Sequence, residues 1–404
     1  MSKWLAVWSG LAVAAIAFTP APGLAQDVEI TSKALKINIG GRVQMQGRRS
    51  SCSAFPVELP CTEEVRNVNW FIRRARIEFT VKFSDFIEGK FAPEFAPASE
   101  ELDATNLTDA YGQLNFSDAA RLRFGHFKRP FDGFQLTSST QILTIERDVD
   151  VPGVPGIGSL SLDELTERFK LSNRNVGIGL NGKVANGFFE YWVGVFNGNS
   201  GGDNEGDTDG KQFMARAQVS VDAGGLPLEI AVAGAVTEQP FDRPVTGQLA
   251  GKDYSNFELW TQLGDFPSAV VKKVEANESV GIGEQLIVQG ELFFGQNPLL
   301  NKAGLPIDLA AGEDFADAWA FQVIGGWTFP IRGSGFFRAI QPIFRATYAN
   351  AATDVSFDSN WGLTPGVQIF FAQRQKLALN WDFVVYEGDL RGVDSFKAQY
   401  QFYF

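Results

Sequence analysis

The sequence predicts an all-β fold: a transmembrane antiparallel β-barrel of about sixteen strands, with long extracellular loops and short periplasmic turns. Three observations predict it. The stretch from Asn69 to Phe83 alternates cleanly, with Ala75, Ile77, Phe79, Val81 and Phe83 on one face and Arg74, Arg76, Glu78, Thr80 and Lys82 on the other. Successive side chains of a strand point to opposite sides, so one face is apolar and the other charged. A soluble sheet could bury the apolar face; a membrane barrel could give it to lipid and keep the charges in a water-filled lumen. The second observation is extent. Strand-like alternation runs from Leu35 to Phe404 without a linker, a low-complexity tract or sustained helical periodicity. One all-β unit of that size is normal where the sheet closes and has no edges. The third is the final strand, where Phe396, Ala398, Tyr400, Phe402 and Phe404 share a face. On a soluble edge they would invite aggregation; on lipid they form an aromatic girdle.

Taken in order, residues 1–25 read as a secretory signal peptide. Lys3 supplies the positive charge, Leu5 to Phe18 the apolar run, and Gly23-Leu24-Ala25 the small-residue cleavage site. The run is shorter than the roughly 20 residues of a membrane span. Residues 26–404 are then the barrel. Strand one covers Leu35–Gln46. A long polar loop follows with the only cysteines, Cys52 and Cys61, which in an exported chain point to a local disulfide. Asn69–Phe83 is strand two, and Ser84-Asp85 turns it into a weaker third strand, Lys90–Ala96, interrupted by Pro93. Leu107–Phe116 and Arg121–Phe127 are strands four and five, joined at Ser117-Asp118. Lys128 to Asn173 is the longest stretch without strand pattern; it holds a Pro/Gly run from Val151 to Gly158 and a helix-compatible segment, Leu160–Lys170. Loops of this length are commonly functional or disordered.

Strands resume at Asn175–Asn181 and Phe188–Asn197. The acidic loop up to Gly210 places Asp203, Glu205, Asp207 and Asp209 as a calcium loop would, but Thr208 stands where the tight turn needs glycine, so a solvated loop is expected. Gln212–Val221, Leu226–Val236, Tyr254–Leu263, Glu284–Phe294, Ala316–Phe329, Phe336–Tyr348, Leu363–Phe371, Lys376–Glu387 and Ser395–Phe404 complete the set. Connections after odd strands are mostly long and those after even strands mostly short. The exception is Gly264–Gly283: either a strand is misplaced there or this turn folds into the pore.

Composition narrows the function. The chain carries a formal charge of −12 and a single histidine, His126, with no nucleophile motif beside it. A hydrolase pair would have to use that residue, so no enzyme is expected. Nothing implies a cofactor, a metal or a nucleic-acid partner.

Several segments together resemble the phosphate-selective porin O and P family of Gram-negative bacteria. They are Phe71-Ile-Arg-Arg-Ala-Arg76, Asp109-Ala-Tyr111, Arg123-Phe-Gly-His-Phe-Lys-Arg-Pro-Phe131, Ile145-Glu-Arg147, Val195-Phe-Asn-Gly198 before an acidic loop and Arg216, then Arg345 and the aromatic end. The resemblance implies an integral outer-membrane barrel in a lipid and lipopolysaccharide bilayer, a homotrimer, and passive passage of small anionic or polar solutes. It also implies that Lys128–Asn173, the third outer loop, folds inward as a constriction. A terminal Phe404 with alternating aromatics resembles the signal read by outer-membrane assembly machinery.

Strand parity directs Arg42, Arg74, Arg76, Lys82, Arg121, Arg123 and Arg216 into the lumen, and Lys128, Arg129 and Arg147 belong to the loop. Fixed cations on a low-dielectric wall favour anions, and Arg forks match phosphate oxygens. Against them stand loop acids Asp148, Asp150, Asp163 and Glu164, and inward Glu78, Glu94, Asp109 and Asp382. Two readings stay open on this chemistry: an anion or phosphate pore, and a general or weakly cation-selective pore whose arginine wall faces an acidic loop. A surface receptor or adhesin barrel is a third. Arg73 falls on the apolar parity and is expected to snorkel to the interface. Trp319, Phe321, Trp327 and Phe329 read as lipid-facing girdle residues.

Overall fold

The computed structural model describes residues 28–31, 35–51, 69–96, 106–149, 161–198, 210–239, 252–305, 313–355, 359–386 and 393–404. The expected signal peptide, Cys52, Cys61, Asp150 and residues 199–209 lie outside them.

The barrel strands are β1 (Lys36–Ser51), β2 (Asn69–Lys82), β3 (Ile87–Glu94), β4 (Asn106–Ser117), β5 (Ala120–Lys128), β6 (Arg174–Val184), β7 (Phe189–Phe196) and β8 (Gln212–Asp222). They continue with β9 (Pro227–Gln239), β10 (Lys252–Leu263), β11 (Leu286–Asn301), β12 (Phe315–Trp327), β13 (Phe337–Asn350), β14 (Ser359–Phe371), β15 (Gln375–Tyr386) and β16 (Val393–Tyr403). Each pairs antiparallel with its sequence neighbours. The sheet closes where β16 meets β1, from Asp394 opposite Ser51 to Tyr403 opposite Arg42. Phe404 seals the seam by exchanging backbone hydrogen bonds with Gly41, both 3.0 Å. Two short pieces add to this: Val28–Thr31 lies along the start of β1, and Phe329–Pro330 pairs with β13 beyond the end of β12. The sixteen strands match those expected from the sequence one for one.

The outer surface is the lipid face. Ile178, Val193, Phe213, Val232, Phe257 and Phe344 are exposed there. Trp319, Tyr348, Phe321 and Trp361 form a band, with ring centroids 4.7 Å apart for Trp319–Tyr348 and 5.5 Å for Phe321–Trp361.

The lumen is asymmetric. Its buried wall positions on β9, β12 and β13 include Ala231, Ala233, Ala235, Ala316, Ala318, Ala320, Ala339 and Ala349. These small side chains leave room for Phe131, Phe134, Leu162, Leu165 and Phe169 of the third outer loop, all buried. Gln322, Gln341 and Thr347 lie among the alanines and are equally buried. Two short helices in the loop, α1 (Gly133–Leu136) and α2 (Leu162–Arg168), carry much of the contact. Ser161 caps α2 by accepting from the Glu164 N–H, with Asp163 and Glu164 in the first turn and Arg168 in the last, each suited to the helix dipole.

The unusual connection after β10 hides no strand. It forms α3 (Pro267–Glu275), with proline in the first turn and Lys272 and Lys273 in the last. Val270 is fully buried, and Phe266 packs on a cluster of Phe134, Leu143, Trp260, Ile287, Ile324 and Ile343. Glu275 faces Arg338 of β13 at 3.6 Å. The helix therefore closes the turn end beneath the alanine-rich side.

Candidate functional site

The third outer loop is held inside the barrel by side chains that donate to its backbone. Arg345 on β13, with no exposed surface, donates to the carbonyls of Glu146 and Arg147 at 3.0 and 2.8 Å. It also binds Thr364 and Asp382 at 2.9 Å each. The Asn380 side chain accepts from the Ile145 N–H at 2.9 Å. Gln368 donates to the Leu143 carbonyl and to that of Ile142, and Lys376 reaches Ile142 at 3.3 Å. A loop surrounded by protein must have its polar backbone satisfied, and these donors do that.

The entry of the loop is fastened by acids. Glu258 accepts from the Asp132 N–H and from Arg216, and Glu291 accepts from the Gly133 N–H at 3.0 Å. Asp132 sits at φ 66° and caps α1 through Gln135 N–H, 2.9 Å away. Gly133 lies against the Trp260 ring, where a Cβ would collide. Asp132 also accepts from Thr166 of α2, and Asp163 accepts from Gln135 at 3.0 Å. Burial, reinforced by Glu258, pushes the Asp132 carboxyl up to about 6, against the Thr166 hydrogen bond. Burial with Asp132 and Asp148 nearby pushes Asp163 well above the usual carboxylate range.

On the opposite face of the loop a cavity of about 930 Å³ runs along β1–β8. Its lining holds twelve arginines and lysines against eight aspartates and glutamates, so it inverts the sign of a chain whose net charge is −12. Most of these cations are paired. Arg42 binds Glu78, and it donates to Ser139 of the loop at 2.6 Å. Arg76 binds Glu94 at 3.0 Å, Arg174 binds Asp109 at 2.7 Å, and Lys90 lies 3.1 Å from Glu78 and 3.3 Å from Asp109. Glu146 takes a two-point contact from Arg73, at 2.6 and 3.2 Å, with Arg74 at 3.6 Å. Burial opposes its ionisation, but Arg73 and Arg74 outweigh that and hold the carboxyl down at about 2. Arg147 donates to the carbonyls of Phe134 and Thr137 at 2.8 and 2.7 Å. Lys128 binds three carbonyls at the end of α1. Among the described residues Arg123 has no carboxylate within ion-pair distance; it rests on Tyr111 and Trp192.

Of the residues singled out from sequence, Arg42, Arg74, Arg76, Arg121, Arg123, Lys128, Arg147 and Arg216 line this cavity, with Asp148 and Asp163. Three do not. Lys82 ends β2 at the turn, half exposed, 3.9 Å from Glu88. Arg129 is turned away from the channel and is 2% exposed. Glu164 pairs along α2 with Arg168. Asp150 lies outside the described residues. The expectation for Arg73 is overturned. Gln44 faces Arg74 while Met45 faces Ile72, so Arg73 is the extra residue of a bulge. A bulge re-aims its side chain and shifts the parity, which brings Arg73 to Glu146 and leaves Trp70 and Ile72 exposed outside. Sequence reasoning missed Lys90, Arg174 and Lys183 on the lining. Lys90 alternates with Phe91 and was legible; Arg174 begins its strand one residue before the pattern becomes visible.

Comparison with known proteins gives a concordant family match. The profile of the phosphate-selective porin O and P family matches residues 46–251, half of the chain. Among solved structures, Pseudomonas putida OprB at high pH aligns at 11% identity over 92% of this chain and 94% of its own, with a TM-score of 0.57. The trimer form of in-vitro folded OmpT, an outer membrane protein of Vibrio cholerae, aligns at 10% identity over 92% of this chain and all of its own, with a TM-score of 0.53. At such identity the likeness is one of fold. No curated protein sequence matches.

Proposed function

This chain belongs to the phosphate-selective porin O and P family, an integral outer-membrane barrel of the channel-forming kind, and we propose that its channel favours small anions, phosphate among them. The observation that carries this reading is the lining: twelve cations against eight acids in a protein that is acidic overall. Charges on a low-dielectric wall act over the whole cross-section, so even paired arginines leave a net positive field when they outnumber their partners. The third outer loop acts as the constriction, because its described residues fill the alanine-rich side and leave the path along β1–β8 open to solute. A homotrimer is the expected assembly; the trimer form of OmpT, of like fold, supports it.

A second reading has its own support. Arg42, Arg74, Arg76, Arg174 and Arg216 all have carboxylate partners. A lining of ion pairs creates a transverse field that orients polar solutes without selecting anions, as in a general diffusion porin. Reversal potential across a planar bilayer under a KCl gradient separates the two. The anion reading expects the potential to approach the chloride equilibrium value, with the current reduced by added phosphate. A potassium-leaning or neutral pore indifferent to phosphate leaves the general porin.

A further inference from the structure

Arg123 differs from the other arginines of the channel in what holds it. Its Nε and Nη2 both donate to Gln113 Oε1, at 3.0 and 2.8 Å. Its guanidinium carbon lies 4.2 Å from the centre of the Tyr111 ring, 4.8 Å from Trp192 and 5.6 Å from Phe127. Among the described residues no carboxylate lies within ion-pair distance of it, and Nη1 donates to no protein group. All three rings are on the lumen parity of their strands and line the same cavity. Phe127 is buried and backed by Phe196, with centroids 5.4 Å apart, while Tyr111 and Trp192 are half-buried and show ring surface to the channel.

The combination matters because the other arginines of the lining are already engaged, by glutamate or aspartate or, at Arg147, by the carbonyls of Phe134 and Thr137. At Arg123 a passing anion meets no fixed competitor. Aromatic surface beside a cation with a free donor is also the composition of a small-molecule site: an apolar wall and a few placed polar groups. Inorganic phosphate, fully hydrated, gains nothing from the rings. An organic anion with a flat apolar body gains both the guanidinium and the ring contact.

We propose that Arg123, Tyr111, Trp192 and Phe127 form a subsite for organic anions that carry their charge on an aromatic ring, aromatic carboxylates being the simplest class. This rests on the anion reading above and sharpens it to a solute class. The mechanism is noncovalent: the carboxylate takes the free edge of the guanidinium and the ring lies against Trp192 or Tyr111.

The test is block of the KCl current through the purified full-length protein by benzoate, acetate and phosphate, added separately. Benzoate is expected to half-block at roughly one-fifth the acetate concentration, the worth of one aromatic contact. Trp192→Leu and Tyr111→Leu, made separately, should bring that ratio towards one, and Arg123→Gln should weaken block by both acids. Equal block by benzoate and acetate in the wild-type pore overturns the subsite, and needs no variant to fold. So does a benzoate advantage that survives both ring substitutions. The KCl reversal potential is recorded on the same channels. A pore without anion preference defeats the broader reading, whereas an anion-selective pore that ignores the ring defeats the subsite alone.

Discussion

The two sides of the lumen are built from the same strand alternation and do opposite things. Along β9–β16 the wall is alanine with buried amides, and Arg345, Lys376, Gln368 and Asn380 spend their hydrogen-bonding capacity on the third outer loop. Along β1–β8 the wall is arginine, lysine and acid, and the loop turns its other face, with Glu146, Arg147, Asp148, Asp163 and Glu167, towards a water-accessible cavity. The difference is one of partners rather than polarity. A cation whose donors are consumed by backbone carbonyls is a fastener; a cation held at one edge keeps a field and a donor for solute.

That contrast can be broken most severely at Arg345. Arg345→Ala removes the contacts to Glu146, Arg147 and Thr364 and leaves Asp382 buried with Lys397 as its remaining cation. Breaking a buried pair from one side costs about 3–5 kcal/mol. Thermal melting should show that loss, and single-channel conductance should rise as the loop leaves the lumen. Unchanged conductance would mean the loop is held by its packing alone.

The next lever is Glu146. Its carboxyl is held at about 2 in the folded state, so the contact with Arg73 and Arg74 is fully present above the ordinary carboxylate value and is lost as pH falls from about 4.5 through 2. The stabilisation at neutral pH is about 3 kcal/mol by that linkage. Glu146→Gln should lower the melting temperature at pH 7 and flatten its fall in acid. Asp132 has the opposite sign. With its carboxyl raised to about 6, its stabilising effect is complete below about 4 and is lost as pH rises towards 6. Asp132→Asn should remove that descent, a smaller effect because asparagine still caps α1. Smallest is Lys82→Ala. An exposed pair 3.9 Å long contributes at most about 0.5 kcal/mol, and ion selectivity should not move.

Much of this was legible in the sequence because a barrel strand repeats every two residues. The sixteen strands, the aromatic band and the inward direction of Arg42, Arg74, Arg76, Arg121, Arg123 and Arg216 follow from that period. The failures are local departures from it. One extra residue at Arg73 reverses the parity of the start of β2, and no local composition announces the bulge. Lys82 was placed on the correct face, but at a turn, where facing inward no longer means lining a channel. The packing side of the third loop was not legible. It depends on contacts such as Ile145 with Asn380, 235 residues apart, and on alanines that look like ordinary strand residues until their shared face is known. Arg129 and Arg147 belong to one loop and read alike in sequence; their different settings arise from how that loop turns inside the barrel.

The most direct test asks which side of the lumen conducts. Gln218 lines the cavity on β8 and Gln322 lies fully buried on β12. Each is changed to cysteine, and an anionic methanethiosulfonate reagent is added during single-channel recording, with the wild-type protein as the blank for Cys52 and Cys61. Modification of Gln218→Cys should reduce the current and shift the reversal potential towards cations, while Gln322→Cys stays unmodified. The reverse pattern would contradict the account, because it would put the conducting path on the side where the third outer loop is fastened.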